Sequence, residues 1–112
     1  MSRAIPFLLL FILGCGGQRT YTVAELFDSY KESMNGQPAC VSGVVASIFP
    51  DQINGGFFIN LRDHRKPQIM LFTHEGIKTT AIPQPGEVAT IVGAIHRKGQ
   101  ASVVLSGAAL SR

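Results

Sequence analysis

The sequence predicts a mainly β domain: five strands closed into a small barrel, with one N-terminal helix packed on it. Three observations carry that prediction. Runs rich in β-branched and aromatic residues, separated by turn residues, fill the chain after Pro38. Glycines interrupt two of the longer runs, Gly43 in CVSGVVASI and Gly93 in TIVGAI. A glycine inside a strand weakens it unless the strand bends or another backbone comes close there, which a small closed barrel requires. One capped helical segment precedes the strands. The chain has 112 residues, enough for one small domain. Hydrophobic residues make up 46% and charged residues 15%, the opposite of a disordered composition. There is no tryptophan, and seven phenylalanines supply the aromatic bulk.

The elements follow in order. Thr22-Val23-Ala24-Glu25 has the spacing of a capping box, in which the Thr22 hydroxyl accepts from the Glu25 amide and Glu25 reaches back to Thr22. Tyr21 and Leu26 occupy the positions of a hydrophobic staple. Val23, Leu26, Phe27, Tyr30 and Met34 fall on one helical stripe. The spacing predicts a helix over 23–34, ended by Asn35-Gly36. The first strand spans 39–49 and stops at the turn chemistry of PDQINGG. The second, 56–62, alternates Phe57, Ile59 and Leu61 with Phe58, Asn60 and Arg62. DHRKP is a polar turn, and 68–73 is the third strand. Residues 74–85 form a longer connection with room for one helical turn. PGEVATIVGAIHR is the fourth strand, KGQ a tight turn, and 101–110 the fifth. Five strands with a long first one, and the longest break after the third, describe an OB-fold, a five-stranded Greek-key barrel.

Residues 22–110 resemble the bacterial OB-fold family known as tRNA_anti-like. The resemblance lies in the N-G step after the helix, the V-x-G-x-V and F-x-I-x-L strands, and the later PGEVATIVGAI. These are structural glycines and apolar alternation, so they imply a fold. No RNA-binding residue can be carried over from the family.

The amino-terminal segment has a different character. After Arg3, Ala4 to Leu13 is an apolar run interrupted only by Pro6. A membrane-spanning helix needs about 20 such residues; this run has the length of a signal-peptide core. Ile12-Leu13-Gly14-Cys15 resembles the lipobox of bacterial lipoproteins, whose cysteine is acylated and becomes the mature terminus. The resemblance implies a signal peptide at 1–14, a lipidated Cys15 with a tether over 15–20, and an OB-fold domain over 21–112. It also implies a lipid-anchored protein of the bacterial cell envelope. Gly16 in place of aspartate after the cysteine favours the outer membrane if the host is Gram-negative. Removing residues 1–14 takes away Arg3 alone among the charges and leaves a formal net charge of +2. Lipidation of Cys15 would leave Cys40 solitary; the alternative is a Cys15–Cys40 disulfide in a secreted, unlipidated protein.

No nucleophile–base pattern, phosphate loop or metal-ligand spacing occurs, so no catalytic residue, metal or cofactor is assigned and the protein is expected to bind rather than catalyse. His64, His74 and His96 stand without a ligand cluster. The outward register of the second strand offers Phe58 and Arg62, and the third strand adds Phe72. Arg97 and Lys98 lie at the fourth-strand turn. Together these five are the candidate ligand contacts, with loops 50–56 and 96–100 beside them. Three partner classes fit such a surface: a protein, peptide or glycan of the envelope; a single-stranded nucleic acid, whose bases stack on rings while cations meet phosphates; or a larger envelope complex to which the domain merely docks. The mild net charge sets nucleic acid below the first of these.

Overall fold

The computed structural model of the protein describes residues 19–98 and 102–110. The elements are β1 (Thr20–Thr22), α1 (Val23–Ser29), a 3-10 turn (Glu32–Met34), β2 (Pro38–Pro50), β3 (Phe57–Arg62), β4 (Met70–Thr73), β5 (Val88–Lys98) and β6 (Ser102–Leu110). The sheet runs β1-β2-β3-β4-β6-β5, and an additional β2–β5 pairing closes it. Five strands therefore form the closed barrel expected of an OB-fold, and β1 is a short parallel addition beside Cys40–Ser42. The KGQ turn and the amino-terminal segment, including Cys15, lie outside the described residues.

Closure works because β2 serves two neighbours in succession. Its first half, Pro38–Val44, pairs with β5, and its second half, Val44–Pro50, pairs with β3. The strand bends between those duties. A Cβ at Gly43 would lie 2.8 Å from the Arg62 carbonyl oxygen and 3.1 Å from Leu61 Cβ. Gly43 is thus a point of close backbone approach. Just beyond it Ala46 is the extra residue of a bulge, since Val45 pairs with Leu61 and Ser47 with Asn60. Gly93 sits at a second bulge. Two β6 residues, Gly107 and Ala108, stand between the Val92–Ala109 and Ala94–Ser106 pairs. Gly107 has a φ of 58°, and a Cβ at Gly93 would be 3.0 Å from the Ser106 carbonyl oxygen.

The core is aliphatic: Leu26, Val41, Val45, Ile59, Leu61, Leu71, Ile91, Ile95, Val103 and Leu105 are all buried. Each such side chain contributes about 1.5–3 kcal/mol by leaving water. Helix α1 supplies Val23 and Leu26 to this core. Its capping box is present, with Glu25 N donating to Thr22 Oγ1 at 3.1 Å and Thr22 N to Glu25 Oε1 at 2.9 Å. The helix is shorter than its apolar stripe predicts. At Tyr30 the backbone turns to ψ 135°, and a separate 3-10 turn follows. Tyr30 and Met34 still pack on the core, so the stripe survives the break in the helix. The 74–85 connection holds no helical turn; it contributes Ile77, which bridges Phe57. The Tyr21 ring underlies the Arg19 guanidinium at 4.7 Å, and β1 begins at Thr20, within the stretch read as tether. Cys40 is fully buried.

Asp63 fastens α1 to the barrel. Its Oδ1 accepts from Ala24 N at 2.8 Å, and its Oδ2 accepts from Arg65 N and Lys66 N at 3.0 Å each. Burial alone would raise its pKa, but the three backbone donors outweigh that and hold it below the usual carboxylate value.

Two outcomes follow. Gly43→Val and Gly93→Val should each lower stability by about 1–3 kcal/mol in chemical denaturation, because the new side chain meets backbone atoms. Asp63→Asn should cost about 2 kcal/mol at neutral pH by placing an amide against N–H donors. A carboxylate with a depressed folded pKa stabilises above its unfolded value, about 3.9, and loses that contribution as pH falls through the folded value. Denaturation measured below about pH 4 should therefore show a shallower loss of stability in Asp63→Asn than in the parent.

Candidate binding face

Alternation along β3 turns Ile59 and Leu61 into the core and Phe58, Asn60 and Arg62 outward. On β4, Leu71 and Thr73 are buried and Phe72 is exposed. Three predicted contacts, Phe58, Arg62 and Phe72, thus share the outer side of adjacent strands. The bulge at Ala46 adds a fourth residue. It shifts the β2 register by one, so that Ile48 pairs with inward Ile59 and Phe49 with outward Phe58. Phe49 is 53% exposed. Unbulged alternation from Val45 would have pointed this ring inward, so the sequence gives no signal for it.

The face is ordered in rows. Phe49 and Phe58 form the first. Ser47 and Asn60 form the second, and the Asn60 amide donates to Ser47 Oγ at 3.1 Å. Phe72 falls in this second row if the β3–β4 register is continued one pair past Leu61–Leu71. Arg62 and Met70 form the third, leading to the exposed His64, Arg65 and Lys66 of the following turn. Rings therefore occupy one end of the face and cations the other. Val104 pairs with both Phe72 and His96, which continues the second row toward exposed His96.

The loop after β2 borders the rings and is fixed by Asp51. Asp51 Oδ1 accepts from Ile53 N and Asn54 N at 3.0 Å, and Oδ2 accepts from Gly76 N at 2.8 Å and from Asn54 Nδ2 at 3.3 Å. The Asn54 amide leads these donors in holding the Asp51 pKa below its ordinary value, against the opposing effect of burial. At Gly76 a Cβ would overlap the Gly55 carbonyl, so the loop and the 74–77 segment are in backbone contact. On this fixed loop Ile53 is 92% exposed. Asp51 and Asp63 are both buried and both spent on backbone donors, so neither presents its charge to the face.

The remaining predicted contacts do not join the face. Arg97 pairs with inward-facing Val103, and its guanidinium lies 5.1 Å from the Tyr30 ring centre. It belongs to the α1 end of the barrel. Lys98 closes β5 opposite Ser102. The histidines remain dispersed, and among the described residues no three metal-ligating side chains come together. No helix of the described residues is long and apolar enough to cross a membrane.

No family model matches the chain, so none supports the tRNA_anti-like resemblance, and no curated protein matches it. A solved structure does match. It is a "putative nucleic acid-binding lipoprotein" from Klebsiella pneumoniae subsp. pneumoniae MGH 78578, whose crystal structure is at 2.46 Å. The two chains are 24% identical, the match covers 84% of this chain and 92% of that one, and the TM-score is 0.67. What this likeness establishes is the fold, a closed five-stranded OB-like barrel with a helix.

Proposed function

We propose that the protein is a non-catalytic binding module of the bacterial cell envelope, anchored through lipid on Cys15, that engages its partner with the outer face of β2, β3 and β4. The observation that carries this reading is the set of three rings, Phe49, Phe58 and Phe72, on adjacent strands beside a fixed, exposed Ile53. Binding surfaces for proteins and peptides combine an apolar, aromatic centre with a polar rim. Here the half-buried Ser47 and Arg62 supply polar groups around the rings. A loop that is already fixed loses little freedom when a partner docks, which favours affinity. The partner that suits this arrangement is a protein or peptide segment, with a glycan the next choice. The anchor rests on the lipobox-like Ile12-Leu13-Gly14-Cys15, and the described lipoprotein nature of the structural neighbour supports it. Lipidation and a disulfide would compete for the Cys15 sulfur. Gly16 favours the outer membrane in a Gram-negative host.

A second reading has a specific observation behind it. Rings at one end of the face and Arg62, Arg65 and Lys66 at the other could hold a single-stranded nucleic acid by stacking and phosphate contact. The neighbour's description points the same way. We place it second because Arg62 is the one cation on the strands beside the rings, while Arg97 is turned toward Tyr30.

Three measurements test these readings. A photo-crosslinking phenylalanine analogue at Phe72 should capture an envelope protein in cells, and Phe58→Ala should reduce the capture. Salt-sensitive, micromolar binding of fluorescent oligothymidine, weakened by about 1–3 kcal/mol in Phe58→Ala, would promote the nucleic-acid reading instead. Intact mass of the mature protein should show an acylated Cys15, and Cys15→Ser should release the protein from membranes. An unmodified amino terminus upstream of residue 15, or Cys15 in a disulfide, would overturn the anchor.

A further inference from the structure

Strand β6 is covered on one side along its length by β5, but on the other side β4 accompanies it only at Val104 and Leu105. After the His74 N–H donates to the Leu105 carbonyl at 2.8 Å, the chain leaves β6 and turns to β3, where Ile77 bridges Phe57. Among the described residues nothing pairs with the outer edge of Ser106–Leu110. The bulge bends the strand at Gly107, so Ala108, Ala109 and Leu110 form the straight part of this edge.

An open groove of about 1010 Å³ lies alongside it. Ala109 and Leu110 line it together with Val88 at the start of β5 and with Lys78, Thr79 and Ala81 of the connection before β5. Phe57 also lines it and packs on the core. The position is separate from the ring face, because Ala108–Leu110 and the 78–83 segment contribute nothing to that face.

Exposed strand edges are normally blunted by charge, proline or a covering segment, since unpaired amides and carbonyls template a further strand. Ser106 to Leu110 carry no charge and no proline. Among the described residues that line the groove Lys78 is the one ionisable side chain, so the field there suits a carboxylate. We propose that this groove is a second binding site, which takes an extended peptide of a partner protein as an added strand along β6. The peptide is apolar, with an acidic residue facing Lys78. Main-chain hydrogen bonds to Ala108–Leu110 supply attachment, and the apolar wall and Lys78 supply selectivity.

The test selects from a displayed library of random linear peptides on the full-length chain in detergent micelles. A peptide of the enriched class is then followed by hydrogen exchange. Enrichment of acidic, β-prone sequences that slow exchange at residues 107–110 is the expected result. Lys78→Glu should weaken those peptides at least about tenfold and shift enrichment toward basic ones. Ala108→Pro and Ala109→Pro separate the two sides of the strand. One removes an amide facing β5 and destabilises the fold; the other removes an amide facing the groove and should abolish peptide binding in a folded protein. Failure to enrich any class, protection at Phe58 and Phe72 instead, or indifference to Lys78→Glu would overturn the proposal. So would a concentration-dependent dimer that protects 107–110 without peptide, which would give the edge to a second copy of the chain.

Discussion

The rest of the structure depends on one strand belonging to two pairings. β2 lies against β5 for its first half and against β3 for its second, and no other pairing would turn an open sheet into a barrel. A regular strand of thirteen residues cannot make that turn without crowding its own neighbours. Gly43 removes the side chain where β2 closely approaches the β3 backbone, and the bulge at Ala46 adds twist immediately after. The entry to β5 is fastened at the same point. Val45 exchanges hydrogen bonds with the Gly86 amide and the Glu87 carbonyl, both at 2.8 Å, in a Gln84-Pro85-Gly86-Glu87 turn whose Gly86 has a φ of 94°. Bend, bulge and turn thus occupy one short stretch of the barrel wall.

The two turns that follow β2 and β3 are built on a common plan. In each an aspartate closes the strand, accepts from the amides two and three residues on, and reaches one further amide across the structure: Gly76 for Asp51 and Ala24 for Asp63. The plan fixes the loop that carries Ile53 and fixes α1 over the barrel mouth. It also withdraws two negative charges from the surface. The turn after β3 consequently shows its cations, Arg65 and Lys66, at one end of the ring face.

Much of this was legible in the sequence, and the parts that were not have identifiable causes. The capping box is a contact between near neighbours and could be read from four letters. The barrel was legible because strand alternation and two interrupted runs leave few alternatives. Phe58, Arg62 and Phe72 were legible because β3 and β4 alternate without interruption. Phe49 was hidden, since a bulge depends on what the partner strand does and not on the residues of its own run. Arg97 was misplaced with the other cations because its direction is set by the Tyr30 ring, distant in sequence. The helix was overestimated because Tyr30 and Met34 keep the stripe's packing after the backbone has left helical geometry. Asp51 and Asp63 read as ordinary turn residues; their long-range acceptor roles exist only in the folded chain.

The bulge at Ala46 has an evolutionary side. A strand encodes inside and outside as a two-letter rhythm, and one extra residue shifts that rhythm by half a period. Everything before the shift is unaffected, while everything after it changes sides. In this chain a single codon exchanges Ile48 and Phe49 between interior and surface, and with them the composition of the face presented to solvent. A lineage carrying this barrel could therefore gain or lose an aromatic surface by one insertion or deletion, with no substitution at all.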